Sequence, residues 1–269
     1  MGVLVPHRRT VLITGASSGI GEAFADVFAG EHFDLVLVAR RADRLQVVAE
    51  RTRRMGVDVT VVPMDLSEPE AVAGLCDDLA ARQLTIDALV NNAGYGVPGT
   101  FTTAPWSAHE AQMRVMVVAV VELTYRLLPG MVARGYGRII NVASLAGLVP
   151  APAGHTLYPA TKAFVIRFSE ALSHEAAGVG VHVTALCPGF TYSEFHDRTG
   201  TRDRVSRLPR WLWMDAPTVA RQGYDAVMAG QAVYVNGRVN RTIAALARWI
   251  SPRIVTAVSR RVATLYRKA

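Results

Sequence analysis

Acidic residues are absent from the end of this 269-residue chain. None follows Asp225, whereas Arg238, Arg241, Arg248, Arg253, Arg260, Arg261, Arg267 and Lys268 all do. Those eight charges outweigh the formal net charge of +7, leaving the rest of the chain at 7 − 8 = −1. A nearly neutral body lacks the basic face that nucleic acid demands, so no nucleic-acid partner is expected. Cysteine is almost as scarce. Cys76 and Cys187 stand far apart among apolar neighbours, which excludes a disulfide framework and points to buried free thiols. No run approaches the roughly 18 uninterrupted apolar residues of a membrane-spanning helix. No apolar signal segment precedes the first strand, so a cytoplasmic protein is expected. His155, His174 and His182 are scattered without metal-ligand spacing, and no metal site is expected.

What is present is apolar and periodic. A chain of this length with 51% hydrophobic residues suffices for one well-buried domain and is short for two. Short Val-, Leu- and Ile-rich runs alternate with stretches of helical period, the pattern of βαβ units. Strands are expected near Thr10–Thr14, Asp34–Ala39, Asp58–Val62, Ala88–Asn91, Arg138–Val142, His182–Leu186 and Ala232–Val235. The fold class is α/β, a doubly wound parallel sheet of about seven strands with helices on both faces. Residues 1–237 form the expected domain and 238–269 a basic helical extension. Between Phe190 and Asp215 the rhythm breaks. That excursion collects Trp211 and Trp213, which suit either an apolar lid or simple packing.

The segment TGASSGIG, Thr14 to Gly21, follows the first strand and opens a helix. Glycines 15, 19 and 21 permit a tight turn and bring the backbone, with Ser17, Ser18 and Ile20, close to a pyrophosphate. The second strand then ends on Ala39, Arg40 and Arg41. An acidic residue there would bind a ribose 2′-OH, whereas a guanidinium suits a 2′-phosphate. Arg40 is the expected reader of that phosphate, Arg41 fitting a solvated helix start better. NADP(H) is therefore the expected cofactor, ahead of NAD(H).

Tyr158 and Lys162, four residues apart, share one helix face. An ammonium about 4 Å from a phenol at an effective dielectric of 20 favours phenolate by roughly 4 kcal/mol, about three pKa units. That shift would bring Tyr158 near working pH for acid-base chemistry. Taken with NNAG at Asn91–Gly94 and Ser144 beyond the fifth strand, the chain resembles the short-chain dehydrogenase/reductase family from about Thr10 to Phe195, a single Rossmann-type domain. The resemblance implies that Ser144 bonds the substrate oxygen, Tyr158 moves its proton and Lys162 also holds the nicotinamide ribose. It further implies Asp65 and Leu66 at the adenine, Asn91, Ala93 and Gly94 along the cofactor wall, and Pro188, Gly189 and Ser193 near the nicotinamide. One position departs from it. Where the family has an asparagine that helps hold a water linking the lysine to solvent, this chain has Met116, with Gln112 one turn earlier as a substitute.

The leading reading is hydride transfer between NADPH and a carbonyl or secondary alcohol of a small, apolar substrate. Oxidation of an alcohol with NADP or NAD, and an NADPH-binding regulator with little turnover, remain as alternatives. The family's subunit-pairing helices correspond to Pro105–Arg134 and His155–Gly178, implying a homodimer or homotetramer. In the tail, Ile254, Val255, Val258, Val262, Leu265 and Tyr266 share a 120° helical arc opposite the basic residues. Such a helix either packs on the enzyme or a partner subunit, or makes a peripheral membrane contact.

Overall fold

The computed structural model describes residues 8–151, 156–195, 208–247 and 249. Its main sheet has seven strands: β1 (Thr10–Thr14), β2 (Asp34–Ala39), β3 (Val59–Pro63), β4 (Ala88–Asn91), β5 (Gly137–Val142), β6 (Val181–Cys187) and β9 (Val233–Val235). Their order is β3-β2-β1-β4-β5-β6-β9, and every pairing is parallel. The expected seven-stranded doubly wound sheet is thus found, with β1, β2 and β4 at the expected bounds. β3 starts one residue late, because Asp58 donates its N–H to the Asp34 carboxylate at 2.9 Å.

Both faces of the sheet are covered, which is why its strands read as nearly unbroken apolar runs. Side chains alternate across the pleat. Val11, Ile13, Leu35 and Leu37 pack with Phe24 and Phe28 of α1 (Gly19–Gly30), Leu45 and Val48 of α2 (Ala42–Arg53), and the helix Ala216–Met228. Leu12, Val36, Val38 and Leu89 turn the other way. They meet α3 (Ala71–Ala81), α5 (Ala119–Ala133) and Val115 and Met116 in the turn that joins α4 (Trp106–Met113) to α5. From Trp106 to Ala133 the helix is continuous, and by length and composition it could cross a membrane. Here Val115, Met116, Leu123 and Met131 bury it against the sheet. One π turn, Arg114–Val118, interrupts its α geometry and has Met116 at its centre.

The helix α6 (Leu157–Glu175) packs beside β5 and β6. Its approach depends on Gly147 in the short turn Leu145–Gly147. A Cβ there would lie 2.7 Å from the carbonyl carbon of Lys162 and 2.8 Å from the nitrogen of Ala163. Glycine lets the turn after β5 touch the helix backbone directly. The described ends of the excursion after β6 carry strand structure. Two short parallel strands, β7 (Phe190–Thr191) and β8 (Trp213–Met214), pair across it, and Trp213 stacks on Tyr192 at 4.7 Å. The chain then forms α7 (Ala216–Met228), β9 and α8 (Arg238–Ala247). Asn240 of α8 is buried beneath Gly189, so this helix begins as part of the body. The expected second tail helix lies outside the described residues.

Candidate active site

Strand order reverses between β1 and β4, and the crevice at the carboxyl ends of these strands is where doubly wound sheets bind ligands. Gly15 and Gly19 hold φ of +66° and +61°, conformations an L side chain rarely adopts. A Cβ on Gly21 would collide with the Gly15 carbonyl and the Asn92 amide. Asn92, which the sequence reading passed over between Asn91 and Ala93, fixes this loop. Its Nδ2 donates to the carbonyls of Thr14 at 3.0 Å and Gly15 at 3.2 Å. The Thr14 hydroxyl in turn accepts the N–H groups of Asn92 and Ala93 at 2.9 and 3.1 Å. Ile20 is half-buried against the core, and Ser193 packs over Gly19.

The two arginines after β2 part company. Arg40 is mostly exposed and pairs with Asp65 at 3.5 Å. Arg41 instead lies over the glycine loop, donating to the hydroxyls of Ser17 at 3.1 Å and Ser18 at 2.9 Å. Its other nitrogen meets the Glu194 carboxylate at 2.9 Å. The guanidinium at the phosphate loop is therefore Arg41, although the sequence favoured Arg40. Arg41 is the N-cap of α2, and from there its side chain reaches the loop after β1. Asp65 accepts from Ser67 N–H and Oγ at 2.9 and 2.8 Å, and Leu66 is buried behind it.

Ser144 caps the turn after β5, its hydroxyl accepting the Ala146 N–H at 3.1 Å. The same turn is tied to the loop after β6 by Leu145 N–H donating to the Pro188 carbonyl at 2.9 Å. Across Gly147 stands α6 with Tyr158 and Lys162. The Tyr158 side chain faces that of Ser144, and its ring lies 5.3 Å from that of Phe195. Lys162, only 6% exposed, donates from Nζ to the Val142 carbonyl at 2.6 Å. Ser144, Tyr158 and Lys162 thus converge at the ends of β5 and α6.

Their electrostatics overturn one expectation. The Lys162 ammonium sits 5.7 Å from the centre of the Tyr158 ring and bonds the backbone rather than the phenol. Burial pushes the Tyr158 hydroxyl up to about 12, and the Ser144 hydrogen bond offsets only part of that. Burial likewise pulls Lys162 down to about 8. The pair therefore holds a neutral phenol. A Coulomb term at 4 Å ignores the cost of stripping water from both groups, and here that cost wins.

Behind the pair runs a chain of buried amides and hydroxyls. Asn91 Nδ2 donates to Asn141 Oδ1 at 2.8 Å, and Asn141 Nδ2 to Ser169 Oγ at 2.9 Å. Asn91 thus faces the sheet interior and buttresses β4 against β5, while Gly94 meets the site itself. A Cβ on Gly94 would lie 3.6 Å from Lys162 Nζ and 3.7 Å from the sulfur of Met116. Met116 thus occupies the neighbourhood of the lysine, and its thioether is a weak acceptor. Gln112 does not replace an asparagine there, since its amide donates to the Tyr95 carbonyl at 2.9 Å. Among the described residues no cluster of His, Cys, Asp or Glu could hold a metal, and both cysteines are free thiols. Cys187 is buried and Cys76 half-buried.

The pattern for short chain dehydrogenases matches residues 9–203. The chain belongs to this family. A short-chain dehydrogenase from Sphingobium yanoikuyae, solved with NADPH, superimposes with a TM-score of 0.79 at 34% identity, over 86% of this chain and 88% of that one. A fatty acyl-CoA reductase of Mycobacterium tuberculosis is 34% identical over 253 residues, 93% of this chain and 79% of that protein. The ketoacyl reductase HetN of Nostoc is 35% identical over 182 residues, 68% of this chain, and the match spans 63% of its length. As a short-chain dehydrogenase, this protein is an oxidoreductase of alcohol and carbonyl groups.

Proposed function

We propose that this short-chain dehydrogenase uses NADPH to reduce the carbonyl of an apolar substrate. The observation that carries the reading is a partly buried Tyr158 beside the Ser144 turn and a buried Lys162. A phenol held above its ordinary range is a proton donor at working pH, which is the form that carbonyl reduction needs. Oxidation would begin from phenolate, which this burial opposes. The alternative of a silent NADPH-binding regulator draws on Met116, but Ser144, Tyr158 and a buried Lys162 standing together favour turnover.

The residues present fit the cofactor. Gly15, Gly19 and Gly21 leave backbone room for a pyrophosphate, and Arg41 stands where a 2′-phosphate would replace the Glu194 carboxylate as its anion. NADPH, when bound, supplies the hydride. Ser144 then bonds the substrate oxygen, Tyr158 gives that oxygen its proton, and Lys162 keeps its charge close to the developing phenolate. Phe195 and Leu157 present apolar surface near Tyr158. Together with the likeness to fatty acyl-CoA and ketoacyl reductases, they support an apolar acyl-type or ketone substrate.

A second reading concerns the tail. Leu246 near the end of α8 is 61% exposed and Trp249 just beyond it 88%, next to a segment that is basic and free of acidic residues. We infer that this end contacts anionic membrane surfaces, each basic residue near the surface contributing about 1 kcal/mol.

Three results are expected. Tyr158→Phe keeps the fold and NADPH affinity but loses about 10² to 10⁴ in turnover on ketones, the usual worth of a positioned acid. Parental turnover by that variant removes Tyr158 from the chemistry. Arg41→Ala weakens NADPH binding by about 1.5 to 3 kcal/mol, leaves NADH nearly unchanged, and exceeds the effect of Arg40→Ala. Equal losses for both cofactors would show that Arg41 does not read the 2′-phosphate. Finally, the full chain co-sediments with anionic liposomes at low salt, and a chain ending at Gly237 does not. Retention of the full chain in solution at low ionic strength, where screening is weakest, refutes the membrane contact.

A further inference from the structure

The segment that follows β7 joins the two halves of the site. Ser193 lies over the phosphate loop, since a Cβ on Gly19 would come 2.9 Å from the Cβ of Ser193. The next residue, Glu194, reaches Arg41 at 2.9 Å and comes within 4.0 Å of Arg44. The residue after it, Phe195, sets its ring 5.3 Å from that of Tyr158, the planes tilted by 49°. Three consecutive residues thus touch the glycine loop, the guanidinium above it and the proton donor.

Both terminal nitrogens of Arg41 are committed. Nη2 donates to the Ser17 and Ser18 hydroxyls at 3.1 and 2.9 Å, and Nη1 faces the Glu194 carboxylate. A 2′-phosphate arriving at this guanidinium must take the place of one of these partners. The hydroxyls can stay, because a serine O–H rotates and donates to a phosphate oxygen. A carboxylate has no hydrogen to give and carries charge of the same sign, so it is the partner that leaves. Successive Cα atoms are held about 3.8 Å apart by the trans peptide, so a Glu194 that moves off Arg41 draws Phe195 with it.

We propose that Glu194 is a cofactor-specificity residue, the internal counter-anion of Arg41 that the 2′-phosphate displaces, and that its release shifts Phe195 away from Tyr158. This rests on the NADPH reading and adds to it the residue that competes with the phosphate and the route by which the arrival of the phosphate is felt at the proton donor. NADH brings a hydroxyl in place of the phosphate, which leaves the Arg41–Glu194 pair intact. The side chains of Arg41 and Glu194 are 29% and 37% exposed, so solvent partly screens the pair and its loss changes affinity by a modest factor.

The probes are adenosine 2′,5′-bisphosphate and 5′-AMP, each titrated by calorimetry into the full chain and into Glu194→Gln, which keeps the shape of the side chain and removes its charge. A fluorine label on the Phe195 ring reports its surroundings by NMR in both proteins. Glu194→Gln is expected to bind the bisphosphate about 3- to 5-fold tighter than the wild type does, with the affinity for 5′-AMP unchanged. The Phe195 resonance of the wild type is expected to shift with the bisphosphate and to stay in place with 5′-AMP. In unliganded Glu194→Gln it lies towards the position seen with the bisphosphate. A wild type that prefers the bisphosphate, with no gain from Glu194→Gln, overturns the proposal and leaves the NADPH reading intact. A Phe195 resonance that ignores the bisphosphate, or that responds alike to both probes, also overturns it. Equal affinity of the wild type for the two probes defeats the NADPH reading and the proposal with it.

Discussion

The 2.6 Å hydrogen bond from Lys162 Nζ to the Val142 carbonyl is the constraint from which the rest of the site follows. It fastens α6 to the end of β5 and fixes the rotation of the helix that carries Tyr158. A side chain with a flexible four-carbon stem is a poor positioner unless its stem is buried and its head is committed. Here both hold. Gly147 completes the clamp by letting the Ser144 turn rest on the backbone of Lys162 and Ala163. Ser144 and Tyr158 are therefore set against each other by two contacts, one polar and one steric, neither of which touches the substrate. Deeper in the sheet, Asn91, Asn141 and Ser169 hold β4, β5 and α6 in line by side-chain hydrogen bonds.

Burial then determines the chemistry. The same desolvation that pulls Lys162 down to about 8 pushes Tyr158 up to about 12 and Cys187 to about 12. Each of these groups is biased towards its neutral form. For Tyr158 that form is the acid, and an acid beside a carbonyl serves reduction. The ammonium of Lys162 acts later in this account, when negative charge develops on the phenol oxygen. Stabilisation that arises only as the proton leaves is the kind that lowers a barrier rather than a ground state.

Much of this was legible in the sequence, for reasons that can be named. Strands buried on both faces give unbroken Val, Leu and Ile runs, so β1, β2 and β4 could be placed at their observed bounds. The glycine loop and Ser144 announce themselves because each follows such a run, and Tyr158 and Lys162 by their spacing of four residues. Side-chain direction was not legible. Arg40 and Arg41 carry the same group at adjacent positions, and only the side-chain contacts tell which one reaches the loop. The sign of the Tyr158 shift was missed because spacing four residues apart brings two groups to one face but says nothing of how much water they lose. The β7–β8 pair was hidden as well. Strands of two residues are too short to show a period.

Desolvation keeps Tyr158 a neutral proton donor despite the lysine one helical turn away. Difference absorbance of tyrosinate between the wild type and Tyr158→Phe, titrated upward from neutral pH, reads that group alone. The account predicts no phenolate signal from Tyr158 through pH 10, the ordinary phenol value, with ionisation near 12. An ionisation step assignable to Tyr158 below 10 would show that the Lys162 charge outweighs desolvation, and would contradict it.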